Sequence, residues 1–305
     1  DHLPAKKCEG GTGSKMKTVS FSIWASYLIA ILAIIYSAAG LFISNKSQPE
    51  RVITPQGEEV TLYARGLYRN DSQFKGGILR GTDAVTLFMA VPSLWMAARK
   101  SSRGDVTSKL VLLGIQAFFV YNSASLALGA YWSEMLLVYI LCFSLSLYSF
   151  IMLFQSIEMP TLVEKIRPTM PYRWIAGFCA FSGLSLLIWV LDIITALIQG
   201  KPPAHLDHYH TEITYVLDLA ILFPAVYLAA FQLWKRNPQG IRLGALLLIF
   251  LVFTGLVVAG QSLVQAMDGI IHTPQEYAAY VIPFILLSLI ALGLAFALFR
   301  NISQS

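Results

Sequence analysis

Runs of about twenty apolar residues, separated by short polar stretches, recur along the chain from residue 21 to residue 299. A helix rising about 1.5 Å per residue needs roughly that many to cross the ~30 Å hydrocarbon core of a bilayer. The pattern predicts an all-α fold, a polytopic transmembrane helical bundle of about eight spans: 21–43, 83–98, 110–130, 135–155, 174–198, 213–234, 242–262 and 277–299. The second is short, opens on Asp83 and carries Pro92 midway. Without it every later span would invert, and the basic stretch WKRNPQGIR would change sides. Residues 1–15, DHLPAKKCEGGTGSK, are linker-like and read as an added remnant or a disordered tail before a natural start at Met16. Residues 16–305 then form a single transmembrane domain.

Lysine and arginine set the expected orientation. With the N-terminus inside, the inner connections and tails hold Lys17, Arg99, Lys100, Arg103, Lys109, Lys165, Arg167, Arg173, Lys235, Arg236, Arg242 and Arg300. The outer side then receives the 44–82 segment and Lys201. The expectation is an integral protein of a prokaryotic cytoplasmic membrane with both termini inside. Within 44–82, RVITPQGEEVTLYARG alternates as a short hairpin does, turning at Pro55-Gln56-Gly57. GLYRNDSQFKGGILRGTD follows, dense in charge and glycine. The segment reads as an ordered cap over the outer mouth of the bundle.

Composition agrees and excludes several classes. The chain is 56% hydrophobic and only 13% charged, with mean hydropathy +0.63, where a soluble domain is about a quarter charged. Its net charge of +5 is scattered between spans and forms no stripe for nucleic acid. Cys8, Cys142 and Cys179 imply no disulfide framework. There is no P-loop, dinucleotide fingerprint, CxxC or GxSxG. No expected span carries a histidine for haem or a lysine for a retinal Schiff base.

Polar residues distant in sequence converge on the outer side once the spans are oriented. Asp192 falls roughly 12 Å below Gly200 and Asp218 roughly 8 Å into the sixth span. A carboxylate at such depth protonates or finds a cation, a metal or hydrogen-bond donors. The expected ligand pocket is floored by Asp192 and Asp218, with Asn122, Asp83 and the cap arginines Arg65, Arg69 and Arg80 around it. The plainer alternative is that each aspartate satisfies a hydroxyl on a neighbouring helix. The loop HLDHYHTE before span six, with His272 from the next outer loop, offers a zinc set in His208, His210, Glu212 and His272. The spacing lacks an HExxH pattern and equally suits a solvated or pH-responsive loop.

The stretch VLDLAILFPAVYLAAFQLWKRNPQGIRLGALLLIF has an Asp-Leu pair and a proline on one span, a basic turn ending in glycine, and a second span. With LYARGLYRNDSQFKGGILRGTDAVTL, it resembles a pattern in uncharacterised prokaryotic multi-pass membrane proteins. The resemblance implies an inner-membrane protein and no particular activity. Three functions are therefore carried forward. One is binding of a small molecule, lipid or partner in an outward-facing pocket, without chemistry. Another is transport of a small solute or ion. The third is a metal-assisted hydrolase or transferase acting on a lipid-linked substrate at the outer leaflet.

Overall fold

The computed structural model describes residues 10–45, 47–55, 57–203, 206–270 and 273–303. Helix α1 spans Gly10–Phe42 and begins inside the segment that reads as a remnant. The cap then forms a hairpin of β1 (Arg51–Ile53) and β2 (Glu59–Thr61), with Val52 opposite Val60. Gly57 takes φ +85° in its turn, a conformation that disfavours side chains with a Cβ. Helix α2 runs through Gln73–Val85, a π-helical turn at Thr86–Ala90 and Val91–Ser101. It is followed by α3 (Val106–Gly129), α4 (Leu136–Ser156) and the short α5 (Met159–Glu164). Next are α6 (Tyr172–Ser185) and α7 (Leu187–Gln199), then α8, built of Ile213–Leu217, a π turn at Asp218–Leu222 and Phe223–Trp234. The last two are α9 (Pro238–Met267) and α10, which joins Pro274–Glu276, a π turn at Tyr277–Val281 and Ile282–Arg300.

Among the described residues seven helical stretches are long and apolar enough to cross a membrane, α6 and α7 together making one. The eighth crossing is α2, whose polarity hides it. Gly40 of α1 meets Asp83 and the ring of Tyr27 of α1 lies tilted against Trp95 at 4.6 Å, so α2 runs antiparallel to α1. Gly77 meets Gln265 and Gly81 meets Gln261, so α2 is also antiparallel to α9. Gln116 of α3 donates to Ser26 of α1 (2.9 Å) and Asn122 of α3 to Tyr36 of α1 (3.0 Å), which sets α3 parallel to α1. Two connections therefore separate α1 from α3, and α2 makes the crossing between them. It begins ten residues before the expected start at residue 83, capped by the Ser72 hydroxyl on the Lys75 amide.

Each of the three π turns lies just before a proline: Pro92, Pro224 and Pro283. Proline has no N–H to give the carbonyl four residues back, and its ring pushes against that carbonyl. The preceding residue reaches one position further instead: the amides of Val91, Phe223 and Ile282 donate to the carbonyls of Thr86, Asp218 and Tyr277. Helix α6 ends where serines compete for its backbone, Ser182 bonding Cys179 and Ser185 bonding Ser182. The chain then bends into α7, in which Ala196 alone is buried while Leu191, Ile194, Leu197 and Ile198 face outward.

Because lipid tails are as apolar as leucine, helices in a membrane associate through close packing and polar contacts. Gly77-Ile-Leu-Arg-Gly81 has the GxxxG spacing, and a Cβ at Gly81 would stand 2.3 Å from the Gln261 Cα. Backbone cannot retreat as a flexible side chain can. Gly81→Ala is therefore expected to lower stability by about 1–3 kcal/mol. Gly177→Ala, with nothing within 4 Å, should change it by less than about 0.5 kcal/mol. Thermal unfolding of both variants in detergent compares them, and equal melting would refute the close α2–α9 approach.

Candidate functional site

A cavity of about 270 Å³ lies inside the end of the bundle that carries the cap, between α2, α3, α6–α7, α8, α9 and α10. That volume is near the lower end of small-molecule pockets, which run from about 300 Å³ upward. Its walls are mostly apolar, with Phe118, Leu222, Val226, Phe250 and Leu251 toward the middle of the bundle. All five are buried, so that end is packed shut.

Lys75 and Glu212 occupy the polar end of the cavity. The ammonium sits 2.7 Å from each carboxylate oxygen, and both side chains are 9% exposed. The Tyr209 ring lies 5.3 Å from the same ammonium. Lys75 owes its position to the early start of α2, one turn above Leu79 and on its buried face. Beneath the pair, Asp218 at the head of its π turn accepts from the Tyr121 hydroxyl and the Trp189 indole, each at 2.8 Å. Trp189 stacks on Tyr215 at 4.8 Å, and the Tyr215 hydroxyl donates in turn to Asp192. Helices α7 and α8 are thus clasped reciprocally: an aromatic donor on each holds an acid on the other. Where α7 faces α10, the wall is the Trp189 ring against Tyr280 (6.2 Å) and Phe284 (6.5 Å), all three partly exposed.

The structure divides the expected pocket residues among five places. Asp218 and Asn122 line the cavity. Asp192 lies behind Tyr215, outside the lining, and satisfies a hydroxyl of the next helix as the plainer alternative has it. Asp83 turns to the opposite face of α2, toward α1. It accepts from Tyr68 at 2.6 Å, and the Ser37 hydroxyl of α1 is the other polar group beside it. Arg65 and Arg80 both bind Asp268 at 2.7 Å, fastening the cap to the end of α9, and Tyr63 joins them. Arg69 pairs with Glu134 on the surface, holding that carboxyl below its usual range.

The expected zinc ligands that are described, His208, His210 and Glu212, do not assemble. Among the described residues no group of three or more His, Cys, Asp or Glu is placed to hold a metal. Glu212 is engaged by Lys75 on both oxygens. The His208 Nε2 bonds the Asn70 carbonyl at 3.1 Å and its ring lies against Tyr131 and Tyr209, so burial lowers its pKa. His210 is exposed, and His272 lies outside the described residues. The histidine loop instead braces the cap. Its Tyr209 hydroxyl donates to Asp71 at 2.6 Å, and the Tyr131 amide donates to the same carboxylate at 2.8 Å. Lys75 was the residue that hydropathy concealed. The GxxxG spacing and the Ser72 cap were its sequence signals.

Two predictions follow from the buried charges. Lys75→Met leaves the Glu212 carboxylate unpaired and should destabilise the protein by about 3–5 kcal/mol, whereas Lys75→Met with Glu212→Leu should recover most of that loss. A thermal-stability double-mutant cycle measures both, and additive effects would mean that the pair is not coupled. Burial pushes the Asp71 carboxyl up from 3.8 to about 6, so the folded chain favours its protonated form. That stability is present below about pH 3.8 and is lost as pH rises through about 6, a loss of about 3 kcal/mol at most. Asp71→Asn should flatten the melting temperature over this window, and an unchanged slope would contradict the assignment.

No protein-family model, no curated protein and no solved structure matches this chain. It is a multi-span, largely helical integral membrane protein, and its cavity is the ground for a functional reading.

Proposed function

We propose that this protein binds an amphiphile, without chemistry of its own, taking it sideways from the lipid between α7 and α10. The polar head lies at the Lys75–Glu212 and Asp218 end, and the apolar part runs along Phe118, Phe250 and Leu251. By the lysine and arginine distribution the cap end faces outward, so the ligand comes from the outer leaflet. The resemblance of spans six and seven to prokaryotic multi-pass proteins suits a cytoplasmic membrane.

The observation that carries this reading is the shape of the cavity: a polar end, an apolar body, a wall made of partly exposed aromatic rings, and a packed floor. Mostly apolar pockets with a few polar groups are the usual form of small-molecule sites. Transport needs a polar route past Val226 and Phe250, which are 1% and 4% exposed and offer no polar atom. Hydrolysis at a metal needs ligands that the described residues do not bring together.

Val258 lines the cavity and is partly exposed, so Val258→Trp fills the space from a position that tolerates bulk. Native mass spectrometry of protein extracted from its membrane should detect a retained amphiphile, reduced at least tenfold in Val258→Trp. Trp at Val163, which is exposed and lies on α5 away from the cavity, should leave retention unchanged. Retention that ignores Val258→Trp, or none in the wild type, would refute the reading.

A further inference from the structure

The charges around the cavity are lopsided. Among its described lining residues Lys75 is the one cation, and Glu212, Asp218 and Glu276 are acids. Lys75 is committed to Glu212 on both oxygens, which leaves Asp218 without a cationic partner. Asp218 is 5% exposed, its hydrogen bonds come from the neutral donors Tyr121 and Trp189, and the charged group that bears on it is another acid, Glu212. Each carboxylate oxygen has a second lone pair beyond the one those donors use. An acid at this depth, facing a cavity and given no counter-charge by the protein, has a counter-charge left for something else to supply.

The rings beside it suit the same kind of group. Tyr121 and Trp189 touch the carboxylate, Trp189 stacks on Tyr215, and Tyr280 and Phe284 stand across the side wall. Aromatic faces attract cations through the ring quadrupole, and cages of rings are the usual device for alkylated ammonium groups. An anionic head group would meet the opposite field, with Glu212 and Asp218 ahead of it and its attraction to Lys75 already taken.

Resting on the amphiphile reading, we infer that the ligand's head is a cation, an alkylated ammonium held against Asp218 by the Tyr121, Trp189 and Tyr280 rings with its chain along Phe118, Phe250 and Leu251. Phosphate and carboxylate heads are disfavoured by the same groups.

The test compares three single-chain probes of equal length: decyltrimethylammonium, decanoate and decanol. Binding to the full chain in lipid nanodiscs is measured by calorimetry below micelle-forming concentrations, with empty nanodiscs subtracted. The ammonium is expected to bind saturably and at least tenfold more tightly than either other probe. Asp218→Asn preserves the side-chain shape and one acceptor for Tyr121 or Trp189, and should abolish that preference while decanol binding stays within threefold. Asp218→Glu should restore part of it, which separates charge from damage to the fold. Equal binding of ammonium and decanol to the wild type, or a preference that survives Asp218→Asn, would overturn the cationic head and leave the amphiphile reading standing. No saturable binding of any of the three probes, together with no retained amphiphile in the wild type, would remove both.

Discussion

An ionisable side chain below the membrane surface has to be satisfied by the protein, because hydrocarbon offers neither water nor counter-ions. At the cap end of this bundle the chain meets that requirement in three ways. Lys75 and Glu212 satisfy each other, and Asp268 takes two arginines. Asp192 and Asp218 are bound by aromatic donors across the α7–α8 contact. The third device joins α7 to α8, while Leu191, Ile194, Leu197 and Ile198 of α7 face outward. Breaking the clasp would free the helix that forms one side of the cavity.

The three proline-associated π turns belong to the same design. A π turn lets backbone register slip by one residue without an orphaned amide, at the cost of a local bend. Helices α2, α8 and α10 each carry one, and all three border the cavity. Asp218 begins one of these turns and Tyr280 lies in another, so side chains at the polar end and on the side wall are aimed by displaced backbone. Close packing is kept elsewhere, where Gly77 and Gly81 let α2 reach the backbone of α9. The cavity lies among α2, α8 and α10 together with α3, α6–α7 and α9, above the buried side chains Phe118, Leu222, Val226, Phe250 and Leu251.

Much of the fold was legible in the sequence because a bilayer imposes a simple length and polarity on whatever crosses it. The eight spans, the hairpin in the cap and its ordered state all came from apolar run length, alternation and turn residues. The candidate site was legible only in part. Asp218 and Asn122 were found because an acid or amide within an apolar run stands out. Lys75 does not stand out in the sequence because the Gln73–Val85 part of α2 is mostly shielded by its neighbours and can be polar where a lipid-facing stretch cannot. Depth along a helix does not say which face a residue occupies, so the sequence does not separate Asp83, Arg65, Arg69 and Arg80 from the pocket.

By itself, then, the sequence determined that this is a membrane-embedded bundle, where its crossings fall and which residues carry charge at depth, since each of these is a property of a local stretch. Which charges meet was decided by tertiary structure. Lys75 and Glu212 lie 137 residues apart, Arg65 and Asp268 203 apart, and their pairing depends on helix rotation set by the Gly81 contact and the π turns. That rotation turns Asp83 toward α1 and Lys75 toward the cavity, although both lie on one helix eight positions apart. A side chain's partner is fixed by the direction it faces, and that direction is an outcome of packing.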